Sequence, residues 1–345
     1  MKLTFFDFIK GQLGEKVPPA PTKDLKGQTV VVTGANIGIG FEAAKHFARM
    51  NPGKLIIACR SKARGEEALL SIRADTGCTT AELRLLDLSN FASVKSFVQM
   101  FEDNNDRLDI LVENAAIYMA KAAAEFTEDG WETSVYVNNL ATSLLALLLL
   151  PRMIDTAKKF NINPRLVVVG SEVHYWTKFA EKDVFSENFF RTYAYKDSKL
   201  LRGRLDKLRY YDTKLLNIFF TRSLAEKLGK GPVIVNTVNP GFCLSNLRRD
   251  ADGLQAILFW VFDTFLARTA EQGSRQLVWA AIGQNGDLDE LRGAYISSME
   301  VMEPSDYIVA GNGKAVQDKL WDDLLAELSQ VDAKVTDVVR DYLSQ

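Results

Sequence analysis

Cysteine is sparse: Cys59, Cys78 and Cys243 are the only three in 345 residues, and none stands in Cys-x-x-Cys spacing. That argues against a disulfide framework or a cysteine zinc site and fits reduced thiols in the cytoplasm. Histidine is scarcer still. His46 and His174 are too few for a three-histidine metal site, and no Gly-x-Ser-x-Gly elbow suggests hydrolytic chemistry. Neither sign of charge dominates, since the formal net charge is −2 and no block of five basic residues occurs, so nothing draws the chain to nucleic acid. Internal repeats and low-complexity tracts are missing. Long apolar runs are missing too: LATSLLALLLL is too short for a bilayer and is bracketed by polar residues, as in a helix packed on a sheet or a partner. The start, MKLTFFDFIKGQLG, is interrupted by Asp7 and is too short and polar for a signal peptide or membrane span. It reads as an aromatic tail docked on its own protein, with peripheral membrane contact as the alternative.

What is present is a globular composition, 47% apolar and 25% charged, in a length that suits one large domain. VPPAPTKD, Val17 to Asp24, reads as an extended linker, so residues 1–26 form an extension and 27–345 the domain. From Gln28 onward β-branched runs alternate with helical patterns. The runs TVVVTG, KLIIACR, AELRLLDL, LDILVENAA, RLVVVGS, PVIVNTVNPG and GAYIS predict an α/β fold, with seven strands in a doubly wound parallel sheet of Rossmann type and helices on both faces. The apolar LQAILFWVFDTFLA, Leu254 to Ala267, follows the sixth strand, which places residues 246–268 at the carboxyl edge as a substrate lid.

TGANIGIG, from Thr33 to Gly40, lies between a strand and a helix, where Gly34, Gly38 and Gly40 let the backbone of Asn36, Ile37 and Ile39 approach a pyrophosphate. About twenty residues on, an acid selects NAD and a base selects NADP. This chain has ACRSKARG, with Cys59 in the acid's place and Arg60, Lys62 and Arg64 after it, so NADP(H) is expected.

The residues now resemble those of the classical short-chain dehydrogenase/reductase family, from about Gly27 to Ser297, and look closest to its retinol-dehydrogenase-like branch and to fungal secondary-metabolism reductases. LLDLS puts Asp87 and Leu88 where the family meets the adenine. ENAA resembles the family's NNAG, keeping Asn114 and Ala115 but carrying Glu113 and Ala116 in place of Asn and Gly. By the same resemblance Asn138 in VYVNN is the active-site asparagine and Ser171 in VVVGS the catalytic serine. NPGFCLS resembles the segment that holds the nicotinamide carboxamide, through Pro240, Gly241, Cys243 and Ser245.

Reduction of a carbonyl needs a proton donor, and a tyrosine serves when a lysine one helical turn away stabilises its phenolate. The chain offers two such pairs, Tyr195 with Lys199 and Tyr210 with Lys214. The stretch after Lys214 can bury an apolar face, whereas LLRGRLDKLR after Lys199 is too charged to do so, and one helix carrying both pairs would exceed thirty residues. Tyr210 is therefore the expected donor. Against it stands spacing, since Ser171 precedes Tyr195 by 24 residues and Tyr210 by 39. Residues 172–208 then form an insertion whose rings either enclose a bulky apolar ligand or fasten the insertion down. The resemblance implies that Lys214 also holds the nicotinamide ribose and that Asn138 completes a proton relay. The expected activity is NADPH-dependent interconversion of a ketone or aldehyde and an alcohol, in a metal-free cytoplasmic homodimer paired through residues 140–154 and 210–228. The alternatives are a membrane-associated retinoid or sterol dehydrogenase and a non-catalytic NADP(H)-sensing module. The glycine spacing disfavours an extended epimerase-type relative.

Overall fold

The computed structural model describes residues 3–14, 17–104, 107–118, 124–198, 208–244, 263–264, 266–283 and 287–343. Lys199, Ser245 and most of the expected lid at 246–268 lie outside these. The strands are β1 Thr29–Thr33, β2 Lys54–Cys59, β3 Ala81–Leu85, β4 Ile110–Glu113, β5 Arg165–Val169, β6 Ile234–Val238, β7 Tyr295–Ser297 and β8 Glu300–Met302. They form one sheet in the order β3-β2-β1-β4-β5-β6-β7-β8, parallel except for β8. All seven expected strands are there. The eighth is a three-residue edge strand, turned back on β7 through Ser298 and Met299, both at positive φ.

The helices are α1 Phe5–Gly14, α2 Gly38–Ala48, α3 Lys62–Thr76, α4 Phe91–Asp103, α5 Thr133–Val135, α6 Thr142–Phe160, α7 Glu181–Val184, α8 Phe189–Ala194, α9 Leu208–Leu228, α10 Ala270–Ile282, α11 Asp306–Val309, α12 Gly313–Val331 and α13 Lys334–Tyr342. Strand side chains alternate between two cores, and both faces of a parallel sheet must be covered. Val31 and Leu111 enter the core beneath α4, α6 and α9, whereas Val30, Val32, Ile110 and Val112 enter the one beneath α2 and α10. Connections run from β1 outward to β3 and then back past β1 to β4. The chain therefore reverses its winding between β1 and β4, which opens a crevice at the carboxyl ends of those strands.

Thr133–Phe160 is the one stretch, among the described residues, long and apolar enough to cross a membrane, and 94% of its most apolar window is buried inside the fold. Part of its cover comes from the C-terminal layer of α12 and α13. Trp321 of α12 stacks on Phe220 of α9, with ring centroids 6.1 Å apart, and Leu320, Leu324 and Leu328 follow at helical spacing into the same core. Val335 and Val338 of α13 do the same beside α6. The excess apolar surface of α6 and α9, which prompted the expectation of a homodimer, thus has a partner within the chain.

Residues 179–194, within the expected insertion, are bound to that layer. Arg191 grips Glu327 with two N–H bonds of 2.7 Å, Asn188 donates to the same carboxylate, and Asp323 accepts the Phe189 amide. Phe179, Phe189, Phe190 and Tyr193 are buried there, with the Phe179 and Phe189 rings 4.9 Å apart. These four rings fasten residues 179–193 to the body.

Candidate active site

The glycine turn closes on β4. Gly34 has φ +66°, and a Cβ on it would sit 2.9 Å from Ala115 Cα; one on Gly40 would sit 2.3 Å from Asn114 Nδ2. Asn114 holds the turn from the other side, donating to the Thr33 carbonyl at 2.9 Å, while the Thr33 hydroxyl accepts the amides of Asn114 and Ala115. Gly38, at φ +64°, opens α2 with free space around it, and Ile37 before it provides no side-chain cap. A helix start with open space and an uncapped first turn fits a phosphate. Arg60, Lys62 and Arg64 follow β2 at the same edge, exposed, with Ser61 capping α3 by accepting the Arg64 amide. Asp87 lies beyond β3, its carboxylate accepting the amide and hydroxyl of Ser89, with Leu88 buried beside it. Glu113, where the resemblance called for Asn, is fully buried with both carboxyl oxygens unpartnered, and burial raises its pKa well above the usual carboxylate value.

The doubled tyrosine motif is separated by the fold. Tyr195 ends α8 and pairs with Trp131, ring to ring at 5.1 Å, under the Arg191 guanidinium. Tyr210 sits in the first turns of α9, a helix of 21 residues, with Lys214 one turn on, its Nζ 5.5 Å from the Tyr210 ring centroid. That ammonium donates to the Val169 carbonyl at 2.7 Å, and Val169 ends β5 two residues before Ser171. Full burial lowers the Lys214 pKa to about 7. Asn138 occupies a π-helical turn, Tyr136–Ala141, of a kind frequent at functional sites. Its amide accepts from the Ile117 N–H, donates to the Ile117 carbonyl, and donates to the Thr213 hydroxyl at 3.1 Å. Asn138, Lys214 and Tyr210 therefore converge, with Ser171 at the end of the strand that anchors Lys214.

Three contributors escaped the sequence reading. Tyr118 packs edge-on against Tyr210 at 5.3 Å; its one signal is its place just after the ENAA motif. Asn239 precedes Pro240 and ties strand ends together, accepting the amides of Glu172 and Gly241 while donating to Ser297. Gly241 has φ +79°, and Cys243 is buried with its thiol donating to the Pro240 carbonyl.

His174 is the third. Its Nε2 accepts the Ser305 amide at 3.2 Å, so the proton rests on Nδ1 and is donated to the Ser171 carbonyl at 2.8 Å. Burial lowers its pKa from 6.5 to about 4. Above pH 6.5 folded and unfolded chains both hold it neutral. As the pH falls below that value the unfolded chain takes up a proton that the folded one refuses, so stability falls by about 3 kcal/mol on reaching pH 4. The stability advantage of the natural chain over His174→Gln should therefore shrink between pH 7 and 4, and parallel melting profiles would rule this out.

Residues 28–173 match the family model of short chain dehydrogenases. A short chain dehydrogenase/reductase, dmxR8, of Cryptosporiopsis sp. is 36% identical over 333 residues, covering 95% of this chain and 98% of that protein. The short chain dehydrogenase FGM9 of Gibberella zeae is 31% identical, covering 97% and 95%. Among solved structures, L-sorbose reductase from Gluconobacter frateurii, complexed with NADPH and L-sorbose, superposes with a TM-score of 0.58 at 20% identity, covering 79% of this chain and 96% of that one. A short chain dehydrogenase from Burkholderia cenocepacia in complex with NADP gives 0.58 at 22%, covering 80% and 97%. With whole-length relatives above 30% identity and this fold, the chain belongs to the short-chain dehydrogenase/reductase family and is an oxidoreductase of the nicotinamide-dependent kind.

Proposed function

We propose that the chain is an NADPH-dependent carbonyl reductase, reversible as an alcohol dehydrogenase, acting on a bulky apolar small molecule in the cytoplasm and serving fungal secondary metabolism. The domain would span 27–345, with Tyr210, Lys214, Asn138 and Ser171 as its catalytic residues. One observation carries this reading: Lys214 is fully buried one turn from Tyr210, tied to the strand that ends at Ser171, with Asn138 bonded to the intervening Thr213.

When bound, the nicotinamide supplies or takes the hydride at the carbonyl carbon. The Tyr210 hydroxyl donates a proton to the oxygen, and the Lys214 ammonium stabilises the phenolate left behind. The Ser171 hydroxyl bonds the same oxygen and orients it. Asn138 holds the turn after β4 through Ile117, and the Pro240–Cys243 backbone would hold the carboxamide. Arg60 would donate to the 2′-phosphate, with Lys62 and Arg64 adding positive charge and Asp87 placed to hold the adenine.

Arg60→Ala should raise the KM for NADPH by about tenfold, the weight of one charge-assisted contact, and leave that for NADH within about twofold. Steady-state kinetics with both cofactors measures this. Equal use of NADPH and NADH by the unchanged protein would refute the cofactor assignment. The reductase reading itself is tested by NADPH consumption over a panel of ketones and aldehydes.

A further inference from the structure

Helix α1 lies on the edge where the reaction is placed. Phe8 is 8% exposed, and its ring meets Trp176 edge-on at 5.6 Å and Phe242 at 6.1 Å. Trp176 closes the short turn that begins after Ser171, and its ring lies 6.3 Å from that of Tyr211, the neighbour of Tyr210. Phe242 belongs to the segment between Gly241 and Cys243. Phe8 thus bridges the loop after β5, on the substrate side, and the loop after β6, on the nicotinamide side.

α1 and the residues flanking it are tied to the body at three points. The Trp176 indole N–H donates to the Leu3 carbonyl at 2.9 Å, Arg268 donates to the Gly11 carbonyl at 3.3 Å, and Arg275 donates to the Val17 and Pro18 carbonyls at 3.0 and 3.3 Å. Phe6 and Leu13, 82% and 66% exposed, lie on the opposite face. Gln12 is one turn beyond Phe8 and shares its face. Both the oxygen and the nitrogen of its amide are sealed from solvent with no hydrogen-bond partner. A buried amide left so is costly, and a hydrogen bond from a bound ligand would relieve that cost.

We infer that α1 is a wall of the substrate site, with Phe8 supplying apolar surface and Gln12 a hydrogen bond to an oxygen-bearing group on the ligand. The inference rests on the reductase reading of this edge. It assigns ligand selection to a segment that precedes the nucleotide-binding body. The class of ligand is an apolar ring system carrying a second polar group, since the amide can both donate and accept.

The test is equilibrium binding of prodan, an aromatic ketone whose emission shifts blue in apolar surroundings, to the full chain with and without NADP⁺. The natural chain should bind it; Phe8→Ala should weaken binding by at least about tenfold, as expected for a central aromatic contact. Phe6→Ala, on the outer face, should stay within about twofold. Gln12→Leu, which removes only the amide, should reorder the affinities of prodan and a hydroxylated naphthyl ketone. Circular dichroism shows that each variant is folded. Binding unchanged in both Phe8→Ala and Gln12→Leu, equal harm from Phe6→Ala, or no binding by the natural chain would each overturn the inference. Because the readout is binding, a chain that binds prodan through Phe8 yet never consumes NADPH would refute the reductase reading alone.

Discussion

Phenylalanine at position 210 should leave the fold and the nucleotide affinity intact and cut turnover by roughly 10²- to 10⁴-fold, the usual worth of a positioned proton donor. The same change at Tyr195 should leave turnover within about twofold, because that ring is committed to Trp131 and Arg191 while Lys214 lies over Tyr210. The two variants are to be purified together, checked for NADPH binding by fluorescence, and assayed with one carbonyl under one set of conditions. An inactive Tyr195→Phe beside an active Tyr210→Phe would reverse the assignment.

The second large effect is on stability. Trp321→Ala should cost about 3–5 kcal/mol, the range for deleting a buried tryptophan whose cavity only partly collapses. Trp321 is 5% exposed, stacks on Phe220, and stands beside Leu320, Leu324 and Leu328 in the core that covers α9. Chemical denaturation should show a lower midpoint with an unchanged slope. A loss below about 1 kcal/mol would mean that the C-terminal layer is only loosely seated. The variant also uncovers the α9 face, so its mass in solution should be compared with that of the natural chain.

The sheet was legible because parallel strands buried on both faces read as continuous β-branched runs, and TVVVT and RLVVV are of that kind. The turn between β1 and α2 was legible because Gly34 and Gly38 take positive φ that other residues resist. That Tyr210 and Lys214 share one face of a helix was legible because a single turn separates them. Contacts across the fold left no local trace: the Asn138–Thr213 bond spans 75 residues and the His174–Ser305 bond 131. α12 does carry a helical repeat, at Val316, Leu320, Leu324 and Leu328, but it lies beyond Ser297, where the family resemblance ends. β8 was too short to register, and its turn uses Ser298 and Met299 where glycine or asparagine would have announced it. The N-terminal aromatics were visible as a docking tail, but nothing local revealed that Trp176 and Phe242 receive them.

The clasp of Arg191 on Glu327 joins segments 136 residues apart, and Asp323 and Asn188 reinforce it within the same interface. Glu327 is buried, so removing its guanidinium partner would strand a carboxylate in the interior. The segment around α8 and the C-terminal helices accordingly form a single exchangeable module. A chimaera that borrows that segment from a relative should fold well only if it takes that relative's C-terminal helices with it, and the two segments should vary together wherever this architecture is reused.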